Sequence, residues 1–334
     1  MPTTWQPREV TGGATRVHAP DPAGPPFPAS PEADEQGSLF TVRSPERTLD
    51  EVILDAGTRQ RVEQVLARIV HHDTLMRDWQ LGRIARDRLG VAINLYGPPG
   101  TGKTLCAEAI AHRLGRRLLV VSYAELESRY VGETPKNIVR AFRAAAEGDA
   151  VMVFDEADSV LGKRLTEVTQ SADHAVNVSR SVMLTELDRF TGVVVFTSNL
   201  PGNYDPAFVR RLLAHVELAP PDHETLVRLW DHLVPPAVPR TDDLTGESVA
   251  EAAVGLTGGD LVNVVLGAAA AAVGRPEDHR RVTLDDVRQQ IGHVRQARRV
   301  VGTGPRQRTV SLTRVDPALV DQLDPPDQLD RPEG

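Results

Sequence analysis

"GPPGTGKT", Gly97 to Thr104, stands between an apolar run, "VAINLY" (Val91 to Tyr96), and a helical pattern, "LCAEAIAHRLG" (Leu105 to Gly115). Strand, glycine-rich loop, helix is the order that a phosphate-binding loop requires, because backbone N–H groups and the positive end of the helix then face one point. Gly97, Pro98, Pro99, Gly100, Thr101 and Gly102 would form the cradle, and Leu105 falls in the first turn of the helix. Lys103 would reach the β- and γ-phosphates of a nucleotide, and the Thr104 hydroxyl would ligate Mg²⁺. Cys106, just inside the helix, reads as a small buried side chain.

A second element points to the same chemistry. "VMVFDEAD" (Val151 to Asp158) ends an apolar strand in adjacent carboxylates, and strand C-termini are where an open α/β sheet places its ligands. Asp155 would complete the magnesium shell with Thr104. Glu156, one residue on, would orient and deprotonate the attacking water as general base.

Outward from these two stretches the chain alternates. "RLLVVS" (Arg117 to Ser122), "AVMVF" (Ala150 to Phe154), "GVVVFT" (Gly192 to Thr197) and "HVEL" (His215 to Leu218) are short β-rich runs, with helical patterns between most of them. Continuous apolar strands separated by helices predict an α/β fold, a parallel sheet of the phosphate-loop NTPase kind covered on both faces. Upstream, Val62, Val65, Leu66 and Ile69 share one face of a helix. After Pro220-Pro221 the strands stop, and "ETLVRLWDHL", "GESVAEAAVGL", "GGDLVNVVLGAAAAAV" and "TLDDVRQQIGHV" predict a small all-helical domain. The expected division is a disordered proline-rich arm over 1–45, a nucleotide-binding α/β domain over 46–220, helices over 221–300 and a tail over 301–334. In the tail only "TVSLTRV" suggests a strand.

Composition narrows the classes. The chain has 334 residues, 40% of them hydrophobic, which suits a soluble protein of about two domains. A formal charge of −8 argues against a general affinity for nucleic acid or anionic membrane. The single cysteine excludes an internal disulfide and a cysteine-based zinc site. With no signal-peptide pattern and no apolar run of membrane-spanning length, the cytoplasm is the expected compartment.

Together these residues resemble the AAA+ ATPases of the AAA clade, the unfoldases and disassembly machines of the p97, Vps4, spastin and katanin types, over roughly Leu49 to Val300. The resemblance implies further roles. "FTSN" (Phe196 to Asn199) is similar to the strand end at which Asn199 would position the attacking water. "YDPAFVRR" (Tyr204 to Arg211) is similar to the segment whose arginines reach a neighbouring subunit's nucleotide, with Arg211 the first choice and Arg210 the second. "GLTGGDL" (Gly255 to Leu261) resembles the lid turn that would bring Gly259 to the nucleotide. His232 matches a lid histidine that would meet base or ribose, and Val52, Ile53 and Leu54 would contact the adenine. Two departures stand out: Ile53-Leu54 replace a usual pair of glycines, and "RRLLAHVEL" lacks the usual glycine-arginine after the first finger.

The resemblance also gives a meaning to "SRYVGET" (Ser128 to Thr134), which places a tyrosine and a valine where a polar loop is expected. By position it is the loop that lines the central channel of a hexamer. Tyr130 and Val131 would grip an extended polypeptide by apolar contact, and Gly132 would allow the tight turn. The implied protein is a ring-forming homo-oligomer, a hexamer, that hydrolyses ATP to remodel a protein substrate, with no membrane partner and no nucleic acid. The alternatives are an AAA+ ATPase acting on nucleic-acid complexes, which would normally carry a basic binding module, and an ATP-binding assembly adaptor with little turnover.

Overall fold

Alternation along each apolar run determines where it packs. In β2 (Val91–Tyr96), Val91, Ile93 and Leu95 enter one hydrophobic cluster and Ala92 enters a second on the opposite face. β4 (Ala150–Asp155) divides in the same way, Val151 and Val153 against Met152 and Phe154, as does β5 (Val193–Ser198), Val193 and Val195 against Val194 and Phe196. With apolar side chains on both faces, these strands are stable only as the middle layer of a sandwich. The computed structural model, which describes residues 40–84, 90–122, 126, 133–162, 171–199 and 204–301, supplies the outer layers. Helices α1 (Ala56–Val70) and α2 (Lys103–Arg113) cover one face, and α3 (Thr134–Glu147) and α5 (Ser171–Arg189) cover the other. A single turn, α4 (Asp158–Leu161), follows β4.

The six strands lie in the order β1-β3-β4-β5-β2-β6, where β1 is Val42–Arg43, β3 Arg117–Ser122 and β6 Leu212–Glu217. All neighbours are parallel except β1 and β3. Tyr96 pairs with Ser198 and with Glu217, Phe154 with Phe196, and Ser122 with Asp155, so the strands finish along one rim. The loop after β2 and the acids after β4 emerge there, with the end of β5 between them. β6 is preceded by the short helix α6 (Pro206–Val209), whose first turn is capped by Asp205.

After β6 come α7 (His223–Leu233), α8 (Gly246–Ala252), α9 (Gly258–Val273) and α10 (Leu284–Val301). Chain contacts gather the fold through Ile291 into one compact unit, and the last turns of α10 belong to a second. Among the described residues no helix is long and apolar enough to cross a membrane. Of the arm expected to be disordered over 1–45, residues 1–39 lie outside the described residues, as do "SRYVG" and the tail strand "TVSLTRV", whereas Phe40 is buried and Val42–Arg43 form β1, which corrects that expectation from residue 40 onward.

The structure differs from the sequence reading at the edges. β1 pairs its two residues with Leu118 and Leu119, too short a run for any periodicity to announce. It is fastened by Arg43, whose guanidinium donates to both carboxylate oxygens of Glu108 at 2.9 and 3.0 Å. β6 starts at Leu212, three residues before His215, because "LLA" carries no β-branched residue to signal a strand. α8 is shorter than its pattern and gives way to a left-handed turn at Gly255 (φ 84), whereas α10 runs on through "RQARRVV", rich in helix formers.

On the α3 and α5 face Phe142 meets Phe190 edge to face at 5.3 Å and Phe154 at 5.9 Å. Removing that ring leaves a cavity that the surrounding aromatics cannot fill. Phe142→Ala is therefore expected to lower unfolding free energy by about 3–5 kcal/mol, read as a lower urea midpoint at unchanged slope.

Candidate functional site

The loop between β2 and α2 takes its shape from left-handed glycines. Gly97 has φ 148, and a Cβ there would lie 2.2 Å from the carbonyl oxygen of Leu218; Gly100 has φ 79, and its Cβ would meet Thr257 Oγ1 at 2.6 Å. Gly102 (φ 88) precedes the first helical residue, so the N-terminus of α2 opens toward the loop. Thr101 Oγ1 donates to the Pro98 carbonyl at 2.9 Å and locks the turn. Lys103, 8% exposed, donates its Nζ to the carbonyls of Gly97 and Pro98, both at 2.9 Å. Burial pushes this ammonium below the ordinary lysine value, and the carboxylates of Asp155, Asp158 and Glu156 pull it partly back.

The acids of β4 meet the loop directly. Thr104 Oγ1 donates to Asp155 Oδ1 at 3.0 Å and lies 3.2 Å from Oδ2. Thr197 Oγ1 also donates to Asp155 Oδ1 and accepts the backbone N–H of Glu156 at 3.1 Å. Glu156 is exposed and has φ 53, a left-handed backbone uncommon for a residue with a side chain. Asp158 accepts Ser198 Oγ at 2.6 Å and the Asn199 N–H at 3.0 Å. Thr197 and Ser198 at the end of β5, with Asn199 directly after it, thus hold the acid segment from the neighbouring strand.

Beside the loop a cavity of about 510 Å³ opens between the sheet and the C-terminal helices. Gly100, Thr101, Gly102, Lys103, Thr104 and Leu105 form one wall, and Val52, Ile53 and Leu54 form another. His232, at the end of α7, and Gly259, in the first turn of α9, close it from the helical side. The structure therefore brings together the phosphate loop, the stretch Val52 to Leu54, His232 and Gly259, which the sequence separates by as much as 207 positions, from Val52 to Gly259. Gly259 also donates its N–H to the Gly100 carbonyl at 2.9 Å. Thr257, which caps α9, donates both its N–H and its hydroxyl to Asp260 at 2.6 and 2.7 Å.

The arginines differ in setting. Arg210 is exposed at the end of α6. Arg211 is held by Asp188 of α5 through two parallel bonds, Nε to Oδ1 at 2.6 Å and Nη2 to Oδ2 at 2.7 Å, and donates to the Ala207 carbonyl. Tyr130, Val131 and Gly132 lie outside the described residues. Three contributors escaped the sequence reading. In the sequence Thr197 reads as the end of an apolar strand, Asp158 carries no signal that separates it from a solvated acid, and Asp188 sits 23 residues from its partner.

These groups fit a nucleoside triphosphate with a divalent cation. An ammonium held by neutral carbonyls is free to exchange them for anionic oxygens, and the Thr104 hydroxyl with the Asp155 carboxylate is an oxygen donor pair of the kind Mg²⁺ prefers. Sheet, loop and acids define a phosphate-loop nucleotide-binding protein. Residues 93–220 match the family described as "ATPase family associated with various cellular activities (AAA)". Residues 93–220 thus carry an AAA ATPase domain. The chain is 30% identical over 216 residues to the 26S proteasome subunit RPT4 of Saccharomyces cerevisiae, covering 63% of this chain and 48% of that protein. It is 38% identical over 177 residues to a cell division cycle protein 48 homolog of Archaeoglobus fulgidus, covering 51% and 24%. The matched part is thus half or less of these relatives' length. A solved structure described as the FIGL-1 AAA domain shares the fold, with a TM-score of 0.61, 21% identity and coverage of 76% of this chain and 85% of that one.

The two kinds of left-handed glycine separate in a simple comparison. Gly102 has nothing within 4 Å of a built Cβ, so Gly102→Ala should cost only the backbone term, about 1–2 kcal/mol. Gly97→Ala adds a clash with the Leu218 carbonyl that only backbone movement relieves. Its urea midpoint should fall clearly below that of Gly102→Ala.

Proposed function

We propose that the chain is one subunit of a homo-oligomeric ring, a hexamer, that hydrolyses Mg-ATP and uses the cycle to remodel a protein substrate drawn past Tyr130, Val131 and Gly132. The observation that carries the hydrolytic part is the contact of Thr104 Oγ1 with Asp155 at 3.0 Å, which joins the phosphate loop to the acid segment that ends in Glu156. The name of one relative, a 26S proteasome subunit, together with the aromatic-aliphatic-glycine stretch, supports a protein substrate. The proposed compartment is the cytoplasm.

In this reading Lys103 turns from the Gly97 and Pro98 carbonyls to phosphate oxygens, while loop N–H groups and the α2 terminus hold the remaining negative charge. Thr104 and Asp155 hold the magnesium ion, which when bound neutralises phosphate charge and polarises the reacting phosphoryl group. Glu156 accepts the proton of the attacking water, and Asn199 orients that water. Val52, Ile53, Leu54 and His232 hold the base and ribose. Gly259 links the helical lid to the loop, so lid rotation follows the state of the nucleotide. Arg211 or Arg210 stabilises the transferring phosphoryl group on the neighbouring subunit, a contribution worth roughly 10³ to 10⁵ in rate in other nucleotide hydrolases.

Lys103→Ala should abolish ATP binding, whereas Glu156→Gln should bind ATP within about threefold of the parent and lose turnover by about 100-fold or more, because only the second change spares the cradle. Equilibrium binding and phosphate release measured on both proteins check this. Hydrolysis by Glu156→Gln within a few-fold of the parent would remove Glu156 from the role of base.

The ring has its own test. Subunits with Arg211→Ala keep a sound pocket, and subunits with Lys103→Ala keep a sound finger. Mixed, two inactive proteins should recover part of the parental ATPase, and the same mixture with Arg210→Ala identifies which arginine acts. Failure of both mixtures to recover despite confirmed co-assembly would count against a finger acting across the interface.

A further inference from the structure

We propose that Thr197 is a positioning residue for hydrolysis, its hydroxyl aiming the Glu156 carboxylate by holding the Glu156 backbone and the Asp155 side chain together. This rests on Glu156 being the base. Thr197 is 1% exposed on β5, and its Oγ1 stands between the two acids. It has one proton, which goes to Asp155 Oδ1, and a lone pair is left to accept the Glu156 N–H at 3.1 Å. The sense of both bonds is thereby determined, since an N–H cannot accept and the Asp155 carboxylate cannot donate.

The Glu156 backbone needs such a hold. At φ 53 it occupies a region that disfavours a side chain, and a residue stays there only where its surroundings over-determine it. Thr197 acts on both sides: its hydroxyl takes the Glu156 N–H, and its carbonyl takes the Ala157 N–H at 2.8 Å. The carbonyl bond belongs to the backbone and survives any substitution. The hydroxyl bond can therefore be removed alone, freeing the peptide between Asp155 and Glu156 to turn while the strand stays in place. Thr104 continues to hold Asp155 at 3.0 Å, so the lesion falls on turnover and spares the binding of nucleotide.

Two pairs of variants isolate the hydroxyl. Thr197→Val keeps the branched shape and loses the oxygen, and Thr197→Ala differs from Thr197→Ser by the oxygen alone. A displacement of about 1 Å in a reacting group costs on the order of 10²-fold, so Thr197→Val and Thr197→Ala should lose about 10- to 100-fold in kcat. Thr197→Ser should stay within about threefold of the parent. The dissociation constant for a fluorescent ATP analogue should stay within about threefold in all three, because the cradle is untouched. A merely structural role for the hydroxyl predicts loss of Tm, analogue binding and kcat together. Equal kcat for Thr197→Ser and Thr197→Ala would overturn the proposal, and that comparison holds even where Thr197→Val is poorly folded. Glu156→Gln measured alongside keeps the two ideas apart. If it turns over, the base assignment falls; if it is silent while Thr197→Ala equals Thr197→Ser, only the role of Thr197 falls.

Discussion

The site depends on the phosphate loop being pressed between two other backbones. On one side Gly97 lies against the Leu218 carbonyl, so closely that a Cβ would come within 2.2 Å, and on the other Gly100 accepts the N–H of Gly259 at 2.9 Å. Neither contact admits a side chain. The first ties the loop to the strand that follows the arginine segment, and the second ties it to the N-terminus of α9. A shift of α9 therefore pulls on Gly100, and a shift of β6 pulls on Gly97. The loop does not float over the cavity; the sheet and the C-terminal helices hold it jointly.

The sheet order determines which strand mediates between loop and acids. β5 lies between β2 and β4, so its C-terminal residues face the loop on one side and Asp155 to Asp158 on the other. Thr197 serves the Asp155 and Glu156 pair, and Ser198 serves Asp158. The network runs further. Asn94 Nδ2 donates to the Tyr204 hydroxyl at 3.0 Å, and that hydroxyl donates to Ser198 Oγ. Tyr204 immediately precedes the Asp205 cap of α6, after which come Arg210 and Arg211. Acid segment, central strand and arginine segment thus share one part-buried chain of hydrogen bonds. Asn94 Oδ1 is buried with no partner among the described residues, an omission that costs about 1–3 kcal/mol in an ordinary core. Polar groups left in this way are concentrated where function outweighs stability.

Much of this was legible in the sequence because it is periodic or glycine-coded. β2 and β3 lie where their apolar runs predict, since a strand buried on both faces needs an uninterrupted run. The phosphate loop was legible because left-handed turns and close backbone approach call for glycine, and Lys103-Thr104 follow at once. β1 was not, because two residues have no period. The Arg211–Asp188 pair and the bridging hydroxyl of Thr197 were not, because each joins residues that no local pattern relates. The wall of the cavity at Val52 to Leu54 came from resemblance alone; nothing in "DEVILD" distinguishes a base-contacting stretch from an ordinary apolar turn.

The Arg211 pair bears on the ring proposed above. Its two bonds are short and parallel, the geometry in which an arginine–carboxylate pair is strongest, yet both side chains are about one-third exposed, at 33% and 37%. Solvent screening keeps such a pair near 0–1 kcal/mol, with the bidentate fork placing it toward the upper end. A transition-state contact worth roughly 10³ to 10⁵ in rate corresponds to about 4–7 kcal/mol. If Arg211 is the finger proposed above, giving up Asp188 costs little beside that transition-state gain, so the pair does not bar the role. In an isolated subunit the same arginine stays folded against α5. Under that proposal Asp188 would hold the arginine in one rotamer, and the small strength of the pair is what would let a neighbouring subunit's phosphate replace it.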